Sequence, residues 1–443
     1  MRVNSQTYTP QYRLGIMANL GQFLVQTVLV FFVGITVGLE RNVVPILAKE
    51  EFAIASTSVI LSFVVSFGFV KAVLNLFGGQ LSETWGRKPV LVLGWIAAVP
   101  VPLMIIWASS WWWIVAANVL LGINQGLAWS MTVTSKMDLV GAKWRGLGVG
   151  INEFAGYSGV AAGALVTGFL AARYGLRPIP FYFGLAVILA GLGIAVTLAK
   201  ETRGFSRGEA SLDAENRAGK AQQEGVGPCV ANPGLWNIFR LTSWGDKAMF
   251  SASLAGLLHK FADALVWVSF PLYFNSKGLG VSGIGLVVGA YGFTWGISQL
   301  AVGPLTDRIG RKWPVVAGLV LCGAGVWLTL LVEGIGPWML TAALTGFGIA
   351  LLYPTLLAVI GDVSNPVWRG ASLGVYRMWR DSGYGFGALA IGFISDWLGL
   401  SYGFYFTSLV MFMGAVLVAF TMYETSPSRR KRAPEWHGNA TCT

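Results

Sequence analysis

The stretch "GGQLSETWGRKPV" at residues 78–90 lies between two long apolar runs, and a related stretch, "VGPLTDRIGRKWPV", occupies residues 302–315. Both stretches combine glycine with an acidic residue and an Arg-Lys pair. The glycine of each "GRK" allows a tight turn between two antiparallel helices. The residues shared by the two copies are Gly79, Leu81, Gly86, Arg87 and Lys88, which match Gly303, Leu305, Gly310, Arg311 and Lys312.

These two stretches belong to a longer internal repeat. Residue 79 aligns with residue 303, and the same offset of 224 residues holds without a gap over 79–176 and 303–400. An internal repeat of this length in a membrane protein predicts two equivalent halves related by an axis along the membrane normal. Further residues that the copies share are Asp138, Trp144, Arg145 and Gly146, which match Asp362, Trp368, Arg369 and Gly370.

The composition is that of a membrane protein. The chain has 443 residues, of which 55% are hydrophobic and 12% are charged, whereas soluble domains carry about 25% charged residues. The apolar residues fall in runs of about 20, the length at which a helix crosses roughly 30 Å of hydrocarbon. We therefore predict an all-α membrane protein with twelve spans near residues 18–39, 56–78, 89–109, 112–135, 147–171, 179–199, 248–275, 281–303, 313–333, 337–360, 372–394 and 402–422.

The spans divide the chain into two bundles of six helices. The first bundle is predicted over residues 1–199 and the second over 246–422, with a basic tail over 423–443. Between the bundles, residues 200–245 are predicted to form a linker outside the bilayer, because charged residues crowd its first part. The first apolar run is expected to stay in place as a span, since it is too long for a signal peptide.

The distribution of positive charge predicts the orientation. The net charge is +11, but most Lys and Arg residues fall in the segments that are cytoplasmic if the N-terminus is inside, which is the positive-inside pattern. We therefore expect a multi-pass protein of the cytoplasmic membrane with both termini cytoplasmic. We do not expect binding to nucleic acid, and we expect the basic tail to lie against anionic lipid.

Several function classes lack their sequence signals. The three cysteines have no metal-ligand spacing, no Gly-Lys-Ser/Thr nucleotide loop is present, and no nucleophile stands with a base. We therefore predict that the protein is not an enzyme and has no metal or cofactor. The predicted partners are a small-molecule substrate, the lipid bilayer and a proton as the coupling ion, and the protein is expected to be a monomer.

The glycine–acid–glycine–Arg–Lys loop resembles the loop between the second and third spans of the major facilitator superfamily. A weaker second copy between spans eight and nine is also usual in that family. The resemblance covers almost the whole chain, and it implies a twelve-helix fold of two pseudo-symmetric bundles and secondary active transport by alternating access. It identifies no subfamily and no substrate.

The resemblance also implies a gating loop. In the family, the acid at the place of Glu83 faces the N-terminus of span eleven, where a carboxylate contributes about 0.3–1 kcal/mol and up to ~2 if partly buried. Such a contact would favour the outward-open state; alternatively, the loop only sets the topology. Family members usually have Asp at the place of Glu83. The residues of the predicted gating loop are Gly79, Glu83, Gly86, Arg87, Lys88, Gly303, Asp307, Gly310, Arg311 and Lys312.

Charged residues inside spans are expensive and mark candidate functional positions. In span one, Glu40 and Arg41 precede a proline, and in span seven His259, Lys260 and Asp263 do so. In the family both spans line the central cavity, so Asp263 is our first candidate for proton coupling and Glu40 the second. Alternatively, Asp263 pairs with His259 or Lys260 and only stabilises the bundle, and Glu40 and Arg41 lie at the outer interface.

Span eleven carries Arg377, Arg380 and Asp381 on one side of the helix, and Arg377 and Asp381 can pair at i and i+4. Glu153 of span five stands at the repeat position of Arg377. Opposite charges at equivalent places suggest salt bridges that form and break between the halves. Two alternatives remain open: Arg377 and Arg380 bind an anionic substrate, since guanidinium suits carboxylate and phosphate, or the pairs are static.

Further polar residues suit a small organic ligand: Lys71 in span two, Asn124 and Gln125 in span four and Tyr353 in span ten. Together these observations predict a proton-coupled transporter of a small organic solute, with a slight preference for export. One alternative is an importer of a small metabolite or organic anion. An alternative of another class is a related protein that does not transport and acts as a sensor or as a membrane-assembly factor.

Overall fold

The computed structural model describes residues 13–141, 145–206, 208, 234–364 and 368–426, and within these ranges it contains helices and connecting turns without a strand. The chain is an all-α membrane protein, as the apolar runs predict. Residues 209–233 of the predicted linker (200–245) and residues 427–443 of the predicted tail (423–443) lie outside the described residues.

The first half contains six spanning helices. The third helix breaks where Pro100 begins its second segment, because proline lacks the N–H that would continue the helix. The bounds are α1 (Leu20–Glu50), α2 (Thr57–Trp85), α3 (Arg87–Ala98, resuming after Val99 as Pro100–Ile106), α4 (Trp111–Asn124, a π-helical turn Gln125–Trp129, and Ser130–Val140), α5 (Arg145–Tyr174) and α6 (Ile179–Thr197).

The second half repeats this order. It is preceded by a short helix, Gly234–Arg240, and a π-helical turn, Leu241–Gly245. Asp246 then caps the next helix by accepting hydrogen bonds from two backbone N–H groups of its first turn. The bounds are α7 (Lys247–Ser276), α8 (Val281–Ile309), α9 (Lys312–Thr329), α10 (Ile335–Val363), α11 (Arg369–Leu398) and α12 (Leu400–Thr421).

Each of the twelve predicted spans falls on one of these helices. Within the described residues, ten helices are long and apolar enough to cross a membrane; α7 and α11 are not among them. Their charged residues explain this, since α7 contains Lys260 and Asp263 and α11 contains Arg380 and Asp381. The two helices outside this set are therefore spans whose buried charges lower their mean hydropathy, and the other helices also carry buried charges, such as Arg41 of α1 and Lys71 of α2.

Glycine lets the helices of each half pack closely. A Cβ at Gly159 of α5 would overlap the carbonyl oxygen of Phe31 on α1, and a Cβ at the repeat position, Gly383 of α11, would overlap the carbonyl oxygen of Leu257 on α7. Between the halves, the most extensive packing joins α2 to α11 and α5 to α8. We call the side of the molecule that carries Gly86 and Gly310 the loop face, and the other side the opposite face.

Candidate functional site

The loop after α2 is held by the side chain of Arg87. Gly86 has a φ of 105°, a conformation that glycine adopts without strain, and it turns the chain directly into α3. The Arg87 guanidinium then binds Glu83 at 2.6 Å and Asp138 of α4 at 3.0 Å. The same guanidinium therefore fixes the loop to both α2 and α4.

The second copy has the same geometry. Gly310 has a φ of 98°, and the Arg311 guanidinium binds Asp307 at 2.6 Å and Asp362 of α10 at 3.3 Å. The charged loops of the two halves are therefore equivalent in three dimensions as well as in sequence.

Sequence reasoning missed a carboxylate in each network. Glu201, just beyond α6, accepts hydrogen bonds from the backbone N–H groups of Arg87 at 3.0 Å and Lys88 at 3.1 Å. Glu424, just beyond α12, accepts them from Arg311 at 2.8 Å and Lys312 at 3.3 Å. The available signal was a second short repeat, "ETR" at residues 201–203 and "ETS" at 424–426, after the last helix of each half.

The electrostatics of Glu201 follow from these contacts. Burial raises the pKa of this carboxyl, but hydrogen bonds from the backbone N–H groups of Arg87, Arg203 and Lys88 outweigh burial and hold the pKa below its usual value. The neighbouring Thr202 hydroxyl donates to Asp138 at 3.0 Å. The segment after α6 is thereby joined to the loop between α2 and α3.

The side chain of Glu83 does not have the partner that the resemblance implied. It binds Arg87 of its own loop, and 58% of its surface is exposed, whereas the expected partner was the N-terminus of α11 in the other half. Arg87 lies four residues further along the chain, and its guanidinium takes the carboxylate locally. A gating role of this loop stays a prediction.

The first buried charge cluster joins the two halves at Asp263. Its Oδ1 accepts from Arg41 Nη1 of α1 at 2.6 Å and from the Tyr291 hydroxyl at 2.9 Å. Its Oδ2 accepts from Lys260 Nζ at 3.0 Å and also from the Tyr384 hydroxyl. All five side chains are almost completely buried, so each oxygen of the carboxylate has two partners inside the membrane region.

This cluster corrects several sequence-based expectations. Glu40 and Arg41 are 1% exposed, and they lie inside α1, which continues to Glu50 beyond the predicted end of span one. Their position relative to the outer membrane interface stays a prediction. Of the two local partners considered for Asp263, Lys260 is one and His259 is not. The His259 ring packs against aromatic rings instead, and within the described residues its two nitrogens have no hydrogen-bond partner.

Glu40 has a different environment from Asp263. It accepts one hydrogen bond, from Asn118 Nδ2 of α4 at 2.8 Å, and its Oε1 has no hydrogen-bond partner within the described part of the chain. Glu40 and its partner Asn118 both belong to the first half. Of the two coupling candidates, Asp263 therefore carries the ion pair between the halves.

The second buried charge cluster lies on α11. Arg380 Nε and Nη2 bind the two oxygens of Asp381 at 2.6 and 2.7 Å, and Asn75 of α2 also donates to Asp381. The expected partner of Asp381 was Arg377, one turn earlier. The adjacent guanidinium takes both carboxylate oxygens instead, so the i, i+4 pair is not formed.

The predicted salt bridge between Glu153 and Arg377 is also absent from the described residues. Glu153 Oε1 accepts from the Trp129 indole at 3.0 Å and from Asn152 at 3.3 Å, both within the first half. Asn124 likewise turns away from the cavity and donates to the carbonyl oxygen of Gly94 on α3 at 3.0 Å. The sequence placed these residues on the correct helices but did not predict which neighbouring helix each side chain faces.

A cavity of about 540 Å³ extends from the loop face toward the second charge cluster. Its apolar wall includes Leu147, Leu300, Pro304 and Leu357, and Arg377 lies at its inner end. A smaller polar pocket continues beyond it and shares residues with the larger cavity. The predicted site residues that the structure brings together in this smaller pocket are Lys71, Gln125, Tyr353, Arg377 and Arg380.

On the opposite face the two halves are joined by Asp396 at the end of α11. Its carboxylate accepts hydrogen bonds from the Ser56 hydroxyl at 2.7 Å, the Ser58 hydroxyl at 2.5 Å and the Ser58 backbone N–H at 3.1 Å. The Thr57 backbone N–H also donates to it. An acidic residue of one half thus caps the first turn of α2 in the other half, and this contact had no sequence signal.

Two equivalent helical bundles, with an apolar-walled cavity and a small polar pocket between them, are typical of membrane transporters. The chain belongs to the major facilitator superfamily: the family model, Major Facilitator Superfamily, matches residues 26–259 and 252–443. Membership of this family makes the chain a multi-pass membrane transporter of small molecules rather than an enzyme. The family resemblance seen in the loop sequences is thereby confirmed.

Relatives support the family and leave the subfamily open. An uncharacterized MFS-type transporter of Salmonella typhimurium is 23% identical over 87% of this chain and 92% of its own length. The multidrug resistance protein MdtG of Proteus mirabilis is 24% identical over 80% of this chain and 83% of its own. The crystal structure of the human organic anion transporter MFSD10 has a TM-score of 0.64 at 15% identity, covering 90% of this chain and 99% of that one, which shows the shared fold.

Proposed function

We propose that this transporter moves a small organic solute by alternating access and couples the movement to protons. The main support is that the space between the halves is open at one face of the molecule and closed at the other. A cavity reaches the centre from the loop face, while on the opposite face Asp396 binds α2. This is the arrangement expected of one end state of a rocking-bundle transporter.

The orientation follows from the charges at the loop face. Arg87, Lys88, Arg311 and Lys312 are clustered there, and the positive-inside rule assigns such a face to the cytoplasm. We therefore propose a monomer in the cytoplasmic membrane with both termini inside and with its cavity open inward in this structure. The second of the two predicted gating loops lies at the mouth of that cavity, since Asp307 and Arg311 line it.

Asp263 is the proposed coupling residue. Its ion pair with Arg41 joins α1 of one half to α7 of the other, so protonation of the carboxylate would remove the charge that holds these helices together. Aspartate and glutamate inside spans serve as proton relays in transporters. Glu40 is the second candidate, because it is as deeply buried as Asp263. It ranks second because its hydrogen bond joins it only to a residue of its own half.

Export is the proposed direction. The observation that favours it is that a relative similar over most of the chain is named a multidrug resistance protein. Neither the cavity nor the charge clusters distinguish export from import, because an alternating-access protein exposes its site to both sides in turn.

The test is solute-driven proton movement in proteoliposomes that enclose a pH-sensitive dye. For wild type we expect a change in internal pH when a solute gradient is imposed. For Asp263→Asn we expect the solute to bind and exchange without proton movement. Glu40→Gln is the matched control for loss of a buried carboxyl, and it should keep the coupling.

Equal proton movement in Asp263→Asn and wild type would exclude Asp263 as the coupling residue and leave transport intact. Solute binding without flux in the wild-type protein would contradict transport itself. Loss of coupling in Glu40→Gln alone would move the coupling role to Glu40.

A further inference from the structure

The inner end of the cavity carries more positive charge than its neighbours neutralise. Lys71 of α2 is 8% exposed, and within the described residues its ammonium group forms no hydrogen bond or ion pair. Its Nζ lies 5.4–5.7 Å from the ring centroids of Phe67, Trp129 and Tyr384. Aromatic faces attract a cation but do not accept its hydrogen bonds fully, so this ammonium group lacks a strong acceptor.

Two guanidinium groups face the same place. Arg377 lines both the large cavity and the small pocket, and in the described part of the chain it has no hydrogen-bond or ion-pair partner. Arg380 binds Asp381 through Nε and Nη2, but its buried Nη1 has no hydrogen-bond partner there. A buried charged donor without an acceptor is costly, so Arg380 Nη1 would be stabilised by an acceptor that enters the pocket. Arg377 lines the open cavity and is placed to bind the same group.

The nearby acidic residues do not neutralise this charge. Asp381 uses both oxygens for Arg380. Glu153 is held by the Trp129 indole and by Asn152, and its Oε2 has no hydrogen-bond partner among the described residues. Even if Glu153 turned toward one cation, Lys71 and Arg377 together would still exceed it by one positive charge.

The size of the two spaces restricts what can bind. The small pocket offers about 10 Å³, roughly the space that one water-sized group needs, whereas the large cavity offers about 540 Å³, within the ~300–1,000 Å³ range of small-molecule sites. The wall of the large cavity is mainly apolar near Leu147, Leu300 and Leu357. A ligand that fits both spaces has a small polar head and a larger apolar body.

We propose that the solute is an amphiphilic organic anion. Its carboxylate binds where the two spaces meet, with one oxygen in the small pocket lined by Lys71 and Arg380 and the other near Arg377 at the inner end of the large cavity. Its apolar body lies along the cavity wall toward the loop face. Carboxylate supplies acceptors for both guanidinium and ammonium donors. This inference rests on the proposed function, because it names the class of solute that the transport site takes.

The test compares three probes with one body and three charges: 2-naphthoate, 2-naphthamide and 2-naphthamidine. Binding is measured on the purified full-length protein in lipid nanodiscs. We expect 2-naphthoate to bind about tenfold or more tightly than 2-naphthamide, because charge-assisted bonds are roughly twice as strong as neutral ones, and we expect 2-naphthamidine to bind least.

Variants then locate the binding site. Lys71→Gln and Arg377→Gln should each weaken 2-naphthoate binding by about tenfold, the usual loss for one charged hydrogen bond, and should leave 2-naphthamide binding unchanged. Lys247→Gln removes an exposed lysine outside the cavity and serves as the matched control. If Lys71→Gln fails to fold, the partly exposed Arg377 still provides the test.

Equal or tighter binding of the amide or amidine would overturn the anion proposal, and so would 2-naphthoate binding that both variants leave unchanged. Flux measurements separate this outcome from failure of the proposed function. Transport of 2-naphthamidine in proteoliposomes would keep the transporter and reject the anion class. Specific 2-naphthoate binding without transport would keep the binding site and reject the proposed function.

Discussion

The two halves of the molecule carry the same ion-pair network at the loop face but different charged residues at the membrane centre. At the loop face, the Arg87 and Arg311 guanidinium groups bind acidic residues at equivalent positions. At the centre, the offset of 224 residues pairs Glu153 with Arg377 and Tyr157 with Asp381. The bounds of α2 and α8 differ by the same offset, which pairs Lys71 with Trp295, so almost no charge there has a counterpart of the same kind.

This difference separates two tasks. The loop networks tie each bundle together as a unit, and a unit that rocks as a rigid body needs the same ties in both halves. Under the proposed function, the central residues would recognise an asymmetric solute and a proton, which accounts for charges that appear only once. Because breaking a buried ion pair costs far more than breaking an exposed one, the comparison predicts the size of each mutational effect.

The largest effect is expected at the central ion pair. Asp263→Asn leaves Arg41 and Lys260 buried without a full negative charge, and removal of one partner of a buried pair costs about 3–5 kcal/mol. The double variant Arg41→Met with Asp263→Asn should recover part of this loss, since the uncompensated arginine is gone. Melting temperatures of the purified variants provide the measurement.

The exposed pair of the second loop is the control for that experiment. Asp307 is 63% exposed where it binds Arg311, so Asp307→Asn should cost no more than about 1 kcal/mol. A larger melting-temperature loss for Asp307→Asn than for Asp263→Asn would break the distinction between the loop face and the centre.

The next largest loss of stability is expected at the two loop glycines, and it should be equal in the two halves. Alanine at Gly86 or Gly310 must adopt a positive φ, and its Cβ would overlap the carboxylate of Glu201 or Glu424. Strained backbone of this kind costs about 1–3 kcal/mol. We expect Gly86→Ala and Gly310→Ala to lower the melting temperature by similar amounts, while Gly79→Ala, which meets nothing nearby, should not lower it. Clearly unequal losses at Gly86 and Gly310 would show that the two networks are not equivalent.

A smaller effect is expected at the opposite face, where the halves differ again. The 224-residue offset places Ala172 at the position of Asp396, so a carboxylate closes the α2–α11 contact and not the α5–α8 contact. Asp396→Ala removes a cap of the kind that contributes about 0.5–2 kcal/mol. The population open at this face should rise by about two- to thirtyfold, since each 1.4 kcal/mol is a factor of ten.

Spin labels at Lys49→Cys and Lys277→Cys, in a background with the native cysteines replaced, would report this opening as a longer interspin distance. Asp396→Asn keeps one carbonyl acceptor and should fall between wild type and Asp396→Ala. An unchanged distance distribution in Asp396→Ala would show that the contact does not hold the opposite face closed.

The smallest effect is a pH dependence at the loop face. The pKa of Glu201 is lowered from its usual 4.5, so its contribution to stability is fully present above that value and is lost as the pH falls through the lowered pKa. We expect Glu201→Gln to flatten the fall in melting temperature below about pH 4.5, the usual pKa. If the melting temperature of Glu201→Gln falls with pH as it does in wild type, other carboxyl groups cause the loss of stability in acid.

Much of the fold could be predicted because it depends on local chemistry. Runs of apolar residues gave the twelve helices, and the glycines and charges around Gly86 and Gly310 gave the repeat and the family. The candidate site was predicted less well. One pocket does bring together five of the predicted site residues: Lys71, Gln125, Tyr353, Arg377 and Arg380. In contrast, Asn124 faces α3, and His259 forms no hydrogen bond within the described residues.

What the sequence alone determined is the set of helices, their order along the chain and the charges they carry, because periodicity and composition act along one chain. The tertiary structure decided the partners. Arg41 meets Asp263, Glu201 meets the backbone of Arg87, and Asp396 meets the first turn of α2. These contacts join residues far apart in sequence, and they depend on how each helix is rotated about its axis when two bundles pack together.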